Sequence, residues 1–204
     1  MRTYTEDGML VLADISGFTA FVTATEIEHG PPIIAALLEE VMGQLSPPLE
    51  IQEVEGDAVF ALGPDRAVVP PASLLDVLDE AFAAFRSRRR QMQADETCGC
   101  RACQNIGSLD LKIVAHHGRF LRQLVGGRGQ VAGADVILTH QLLKNGIGKR
   151  AYLLLTESAL RWLGVDAARP GLAMHIERYE HLGDVRCFVR DFVDPVPLTS
   201  PAAA

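Results

Sequence analysis

The sequence predicts a single globular domain of mixed α and β structure, which we expect to be an α+β fold. Short apolar runs bounded by glycine or proline alternate with longer segments whose apolar residues recur at helical spacing. At 204 residues the chain is long enough for one large domain with a proper core. A hydrophobic fraction of 48% with 22% charged residues is ordinary for a soluble globular protein. We expect a single domain over residues 1–193 and a disordered Pro- and Ala-rich tail over 194–204.

The first half of the chain is predicted to form a strand, two helices, a β-hairpin and a third helix. Pro31 and Pro32 open the second helix, which continues as an apolar stripe from Ile33 to Leu45. Two apolar runs joined tightly at Gly56 indicate the hairpin. The predicted elements are strand 9–15, a helix from Gly17, helix 31–45, strands 51–55 and 58–62, and a helix from Ser73.

Five more strands and two helices are predicted in the second half. The apolar run 120–125 is expected to be the hairpin partner of strand 109–115. A glycine-rich loop over 126–129 then leads to the fourth main helix. The predicted elements are strands 109–115 and 120–125, helix 134–143, strand 151–155, helix 157–163, and strands 173–179 and 186–192.

Two aspartates stand out because each ends or follows an apolar strand at a glycine-containing turn. Asp14 follows Leu-Val-Leu-Ala, and Asp57 follows Gly56 between two strands. An aspartate in such a setting is costly to bury unless a cation or hydrogen bonds compensate its charge. Two of them suggest a paired-carboxylate site for Mg²⁺ or Mn²⁺, completed by the phosphates of a nucleotide. The alternative is that each aspartate caps a turn or a helix.

These residues also carry a family resemblance. Residues 14–19 read Asp-Ile-Ser-Gly-Phe-Thr and resemble the first metal motif of the class III nucleotidyl cyclase catalytic domain, Asp-Ile-x-Gly-Phe-Thr. Residues 56–58, Gly-Asp-Ala, resemble its second metal motif. The resemblance extends over residues 10–192 and includes the order of the elements. It implies a ferredoxin-like α/β sandwich, in a divergent bacterial branch of cyclase-like proteins with a cysteine-rich insert.

The resemblance implies a catalytic pair of metal ligands. In class III cyclases the two aspartates bind two divalent cations, which help to activate the ribose 3′-hydroxyl and hold the triphosphate. Asp14 and Asp57 take this role by resemblance, with Ile15 as a further metal ligand. The backbone of Ile15, Gly17 and Phe18, at a helix start, is expected to bind phosphate. The resemblance also implies a homodimer that binds GTP or ATP between its protomers.

Base selection is expected to involve Glu53 and Gln130. By resemblance, the position of Glu53 contacts the purine, and a carboxylate there can accept from the guanine N1–H and 2-amino group. The alternative is a solvent-facing glutamate on an edge strand. The second base-reading position maps to Gln130, which is neither the usual Asp nor the usual Cys, so GTP and ATP both stay open.

The chain departs from the family at the transition-state motif. Ile137 stands where the ribose-orienting Asn is expected, and Gln141 where the charge-stabilising Arg is expected. Losing one preorganised donor costs about 10²–10³ in rate. We therefore expect little cyclase activity unless His140, Lys144 or Arg128 substitutes. The alternative function is a catalytically silent regulatory dimer that responds to nucleotide, zinc or redox state.

A cysteine-rich insert is predicted at about 94–106. Cys98, Cys100 and Cys103 supply three thiolates within six residues, and a structural zinc site needs four ligands. The fourth ligand stays open among His116, His117, Cys187 or a residue of a second protomer. The alternatives are a redox-active pair or a flexible loop with free thiols. The inward-facing member of the pair His116 and His117 is expected to be a core histidine.

Bulk properties exclude some function classes. The formal net charge of −7 argues against a general nucleic-acid binder. No apolar run reaches the length of a membrane span, and the N-terminus lacks the pattern of a secretory leader. We therefore expect a cytoplasmic protein without nucleic-acid or membrane partners.

Overall fold

The computed structural model describes residues 3–68, 70–95 and 98–192. Its strands form one mixed sheet in the order β2-β3-β1-β4-β6-β8-β7, with β5 paired to β4. Within these residues β4 and β6 pair in parallel, and the other strand pairs are antiparallel. The predicted α+β class of the cyclase type is confirmed.

The elements follow the predicted order except over residues 109–132, and the insert contains an additional short helix. The strands are β1 Tyr4–Ser16, β2 Glu50–Glu55, β3 Ala58–Pro64, β4 Asp110–Val125, β5 Arg128–Ala132, β6 Tyr152–Thr156, β7 Ala173–Tyr179 and β8 Gly183–Asp191. The helices are α1 Phe18–Ala24, α2 Gly30–Leu45, α3 Ser73–Ala94, α4 Arg101–Asn105, α5 Ala134–Leu142 and α6 Glu157–Trp162.

Strand β1 is buried on both faces, because helices cover both sides of the sheet. Its residues Met9, Val11, Ala13 and Ile15 belong to the main core with α2, α3 and α6. Leu10 and Leu12 belong instead to a smaller cluster with Val136 of α5. Since side chains alternate along a strand, Asp14 faces the same side as α5. Alternation thus puts the carboxylate of the first motif on the α5 side of the sheet.

The predicted hairpin between 109–115 and 120–125 is wrong. Both runs belong to the continuous strand β4, which pairs with β1 from Tyr4 to Ser16. Its hairpin partner is β5, after a turn at Gly126 and Gly127. Gly118 does not turn the chain, because it lies in register with Gly8 within the β1–β4 pair. A side chain there would collide with Asp135, so glycine serves close packing of α5 on the strand.

The predicted disordered tail over 194–204 lies outside the described residues. Among the residues that are described, no helix combines the length and the hydrophobicity required to span a membrane.

Candidate functional site

Asp14 and Asp57 lie on neighbouring strands at one end of the sheet. Asp14 pairs with Ala58, the residue that follows Asp57. The N–H of Ile15 donates to the carbonyl of Asp57 at 3.1 Å. Because paired strands are about 4.8 Å apart, the fold brings together two carboxylates that are distant in sequence. Because the N–H of Ile15 is used in this bond, it is not available to the phosphate that it was expected to bind. The backbone group of Ile15 that can bind a metal ion is its carbonyl.

Lys112, which the motifs did not indicate, lies beside Asp14. It is the cross-strand partner of Asp14 on β4, and its Nζ is 3.0 Å from Asp14 Oδ2. Its ammonium also donates to the carbonyl of Leu143 at 3.3 Å. The only sequence signal for this role was a single lysine between the apolar residues Leu111 and Ile113. Lys112 is thus a fixed positive charge within the candidate site.

The carboxylate pair carries more negative charge than Lys112 neutralises. Burial, and after it the negative charge of Asp14, raises the pKa of the Asp57 carboxyl to about 6, although Lys112 acts in the opposite direction. An additional cation would remove this excess. Carboxylates are the ligands that Mg²⁺ and Mn²⁺ prefer. The donor chemistry of Asp14 and Asp57 therefore fits a divalent metal ion.

Replacing Asp57 by Asn should stabilise the metal-free protein at high pH. The raised pKa means that ionisation of Asp57 penalises the folded state. The penalty is absent below the unfolded pKa of about 4, grows as the pH rises, and is complete above about pH 6. Because the group is only half-buried, screening reduces the expected gain to about 1 kcal/mol, or about 2–4 °C in Tm.

Thermal unfolding in EDTA at about pH 8 and about pH 4 measures this effect. We expect the Asp57→Asn variant to melt above wild type at the higher pH and together with it at the lower pH. The exposed carboxylate Glu180, changed to Gln, is the matched control and should change Tm at neither pH. An Asp57→Asn gain of equal size at both pH values would contradict the assignment.

Gly17 forms the turn between Asp14 and helix α1. Its backbone is left-handed, with φ of 90°, and a side chain there would collide with the guanidinium of Arg150. Arg150 also donates to the carbonyl of Ser108. A second cation therefore lies next to the turn that was expected to bind phosphate. Phe18, the first residue of α1, lines an apolar cavity of about 440 Å³.

Glu53 and Gln130 line one cavity of about 420 Å³. Glu53 is the cross-strand partner of Phe60, and the Phe60 ring contacts the His140 ring edge-on at 5.0 Å. Both of these rings and Arg128 line the same cavity. The structure therefore brings together the two residues expected to read the base, in a space lined by an aromatic ring and a cation.

The two replaced positions of the transition-state motif lie on the surface of α5. Ile137 is 56% exposed, and Gln141 is exposed one turn later. Of the three expected substitutes, His140 and Arg128 line the cavity of Glu53, whereas Lys144 is exposed beyond the end of α5. The exposed face of α5 thus carries an isoleucine and an amide at the two positions where the resemblance led us to expect Asn and Arg.

His116 is a core histidine, as predicted for the inward-facing member of the pair. Its ring nitrogens lie 2.9 Å from Thr156 Oγ1 and 3.1 Å from Asp135 Oδ1, and burial lowers its pKa. His117 Nε2 lies 3.0 Å from Asp65 Oδ1. Both side chains therefore serve contacts away from the cysteines.

The three cysteines of the insert surround one histidine. His29 Nδ1 lies 3.0 Å from Cys100 Sγ, 3.7 Å from Cys98 Sγ and 3.8 Å from Cys103 Sγ. The four ligand atoms all lie within 4.8 Å of one another. The N–H of Cys103 and, more weakly, the His29 ring lower the pKa of the Cys100 thiol to about 7, against the effect of burial. This set has the number and the types of ligand that zinc takes.

The fourth member of the cluster was not among the expected residues. His29 takes that position, whereas Cys187 is buried and its Sγ lies 3.7 Å from the carbonyl of Val185. No local pattern indicated His29 as a ligand, because it lies about seventy residues before the cysteines and precedes the two prolines of α2. Only the packing of the insert against the α1–α2 loop brings it there.

Comparison with solved structures defines the fold. The adenylyl cyclase CyaB from P. aeruginosa superimposes with a TM-score of 0.72 and 14% identity, over 98% of this chain and 100% of the other. The guanylyl cyclase Cya2 superimposes with a TM-score of 0.70 and 15% identity, over 98% of this chain and 100% of the other. The guanylate cyclase domain of RhGC from Catenaria anguillulae was solved in complex with GTP. It superimposes with a TM-score of 0.64 and 14% identity, over 93% of this chain and 98% of the other. The fold is therefore that of nucleotidyl cyclase domains.

Sequence comparison defines the family. Residues 34–152 match the family described as "Protein of unknown function (DUF2652)", and the chain belongs to it. The uncharacterized protein Rv2561/Rv2562 of Mycobacterium tuberculosis is 35% identical over 126 residues, which are 61% of this chain. The match spans 57% of that relative's length.

Proposed function

We propose that this chain is a nucleotidyl cyclase-like domain that binds a divalent metal ion together with a purine nucleoside triphosphate. The observation that carries the proposal is the meeting of Asp14 and Asp57 at one end of the sheet, with excess negative charge. Without a cation in addition to Lys112, such a pair of carboxylates is unfavourable. The cyclase fold of the whole chain supports the same function.

Some residues of the candidate site would bind the metal ion, and others would bind the phosphates. Asp14 and Asp57 would hold Mg²⁺ or Mn²⁺, with Ile15 contributing its carbonyl. Bound there, the ion supplies positive charge to the phosphates of the nucleotide. Lys112 and Arg150 are separate cations at this end of the sheet and attract the triphosphate electrostatically. Gly17 supports this arrangement because it leaves room for Arg150 at the turn.

The cavity lined by Glu53 and Gln130 would hold the purine. A carboxylate accepts hydrogen bonds from the N1–H and 2-amino group of guanine, whereas the amide of Gln130 both donates and accepts. Glu53 thus favours GTP, whereas the Gln130 amide can form hydrogen bonds with either base, so ATP is the second candidate ligand. Phe60 gives the base an apolar surface in the same cavity.

Cyclase turnover is expected to be low, because Ile137 and Gln141 lack the groups that orient ribose and stabilise charge. A catalytically silent regulatory dimer is therefore the second candidate, favoured by the exposure of this apolar and amide pair on α5. Its signal would be nucleotide binding, or zinc and redox state sensed by the cluster of His29 and the three cysteines.

Thermal unfolding with Mn²⁺ and GTP or ATP tests the proposal. At about 100 times Kd, a ligand stabilises by about 2.7 kcal/mol, which is about 5–10 °C for a chain of this size. Wild type should show this rise, and the Asp57→Ala variant should lose it. The control variant Glu180→Gln should behave as wild type.

Cyclic nucleotide assayed in the same samples separates the two candidate functions. Stabilisation with product indicates a cyclase, and stabilisation without product indicates a silent regulator. A wild-type protein that neither nucleotide stabilises in the presence of Mn²⁺ would contradict the proposal. Stabilisation that survives in the Asp57→Ala variant would contradict the metal site.

A further inference from the structure

The cluster of His29 with Cys98, Cys100 and Cys103 is built from two segments that the fold packs together. The cysteines belong to the insert, and the histidine ends the loop between α1 and α2. Cys100 is the N-cap of α4, and its Sγ accepts the N–H of Cys103 at 3.5 Å. Such a bond orients a sulfur and stabilises its thiolate form.

Two of the three N···S distances are close to those of a tetrahedral zinc centre, and the third is shorter by about 0.5 Å. With Zn–S bonds of about 2.3 Å and Zn–N bonds of about 2.0 Å, the geometry requires N···S separations of about 3.5 Å. The imidazole nitrogen lies 3.0, 3.7 and 3.8 Å from the three sulfurs. We propose that His29, Cys98, Cys100 and Cys103 bind one Zn²⁺ ion as a closed structural site within a single chain.

The ligand set favours zinc over the other uses of clustered thiols. No disulfide joins any of the four cysteines, all of which lie within the described residues. A disulfide would use two of the three sulfurs and leave the third thiol and the imidazole without a role. A tetrahedral ion uses all four groups, and three thiolates with one imidazole are soft ligands that suit zinc better than Mg²⁺ or Mn²⁺. Four protein ligands leave no open position for a substrate, so the site is structural.

The ion would reinforce a contact that Glu26 already makes. The Glu26 carboxylate accepts the N–H groups of Arg101 and Ala102 at 3.3 and 3.1 Å. Ala102 and Ile106 are buried in the main core, so the insert is packed onto the body of the protein. Zinc would therefore fasten the insert to the loop that follows α1. Helix α1 begins at the glycine turn next to the carboxylate pair, so zinc loss is also expected to loosen that turn.

Zinc content of the purified chain tests the site directly. Elemental analysis after dialysis should find about one zinc ion per wild-type chain. The Cys100→Ser and His29→Ala variants should each bind Zn²⁺ at least about 100-fold more weakly. His29→Cys should retain the ion, because thiolate replaces imidazole in many zinc sites. The matched controls are Cys187→Ser and His181→Ala, which alter a cysteine and a histidine outside the cluster and should keep full zinc.

Cobalt substitution keeps the test decisive if a ligand variant fails to fold. Co²⁺ added to chelated wild type should give sulfur-to-cobalt charge-transfer bands and the visible bands of tetrahedral coordination. A wild-type chain without zinc that gives no such bands with Co²⁺ would overturn the proposal, as would full zinc content in both Cys100→Ser and His29→Ala. This readout needs no nucleotide, so failure of the zinc site and failure of the proposed function are separate results.

Discussion

Changing Ile137 to Asn and Gln141 to Arg in the same chain should raise cyclase turnover by about 10³-fold or more. Each introduced donor corresponds to a group whose loss costs about 10²–10³ in rate. Effects of groups that act together are not additive, so we expect less than the product of the two. Both positions are exposed on α5, one turn apart, so neither substitution disturbs the core.

Cyclic nucleotide formation from GTP or ATP with Mn²⁺ measures this gain. Adding Asp57→Asn to the double variant should return turnover to the wild-type level, because the metal pair is required for the chemistry. A double variant that still binds nucleotide but turns over within about tenfold of wild type would contradict the role given to these positions.

Removing the side chain of Arg122 should destabilise the protein by about 3 kcal/mol or more. Its guanidinium is 8% exposed and lies 2.5 Å from the carboxylate of Glu6, which is 5% exposed. It also binds Glu50 through two bonds of 3.0 and 2.8 Å. In an Arg122→Ala variant Glu6 stays buried with only the exposed Arg66 beside it. The loss is large because a buried carboxylate is left with too little positive charge.

The matched control is Arg119→Ala on the same strand. Arg119 pairs with Asp7 through side chains that are 69% and 49% exposed, so its loss should change the free energy of unfolding far less than the loss of Arg122. Urea unfolding of the two variants gives both free energies of unfolding. Equal losses would contradict the buried network. Arg122 joins β4 to β1 and β2. We therefore also expect its loss to loosen β2, which contributes Glu53 to the cavity that Gln130 also lines.

Local sequence patterns predicted most of the elements. Each buried helix carries its apolar residues on one face, and the central strands are apolar along most of their length, so both are visible in the sequence. The predictions of a helix with the apolar stripe Ile33–Leu45 and of a strand before Asp14 were both correct. The error at β4 arose because glycine at 118 indicates a turn locally, whereas it serves close packing of Asp135 in the fold. A single sequence does not show which helix will pack against a glycine.

The candidate site was predictable only where its residues lie within a motif. Asp14 and Asp57 were indicated by their turns, and three cysteines by their spacing. Lys112 and His29 were missed, because each reaches its neighbours through strand register or loop packing across the fold. These two residues change the chemistry of both sites. Lys112 adds a fixed cation to the carboxylates, and His29 completes the set of four proposed zinc ligands.

Electron paramagnetic resonance of Mn²⁺ tests most directly whether Asp14 and Asp57 hold a divalent ion. Wild-type protein at about pH 8, where Asp57 is ionised, should reduce the free Mn²⁺ signal in titrations, and GTP should strengthen this binding. Asp14→Asn and Asp57→Asn should each abolish it, and the double variant should show no greater loss, since the two carboxylates share one site. Wild-type protein that leaves the free Mn²⁺ signal unchanged, or a double variant that binds Mn²⁺ as tightly as wild type, would contradict the shared metal site.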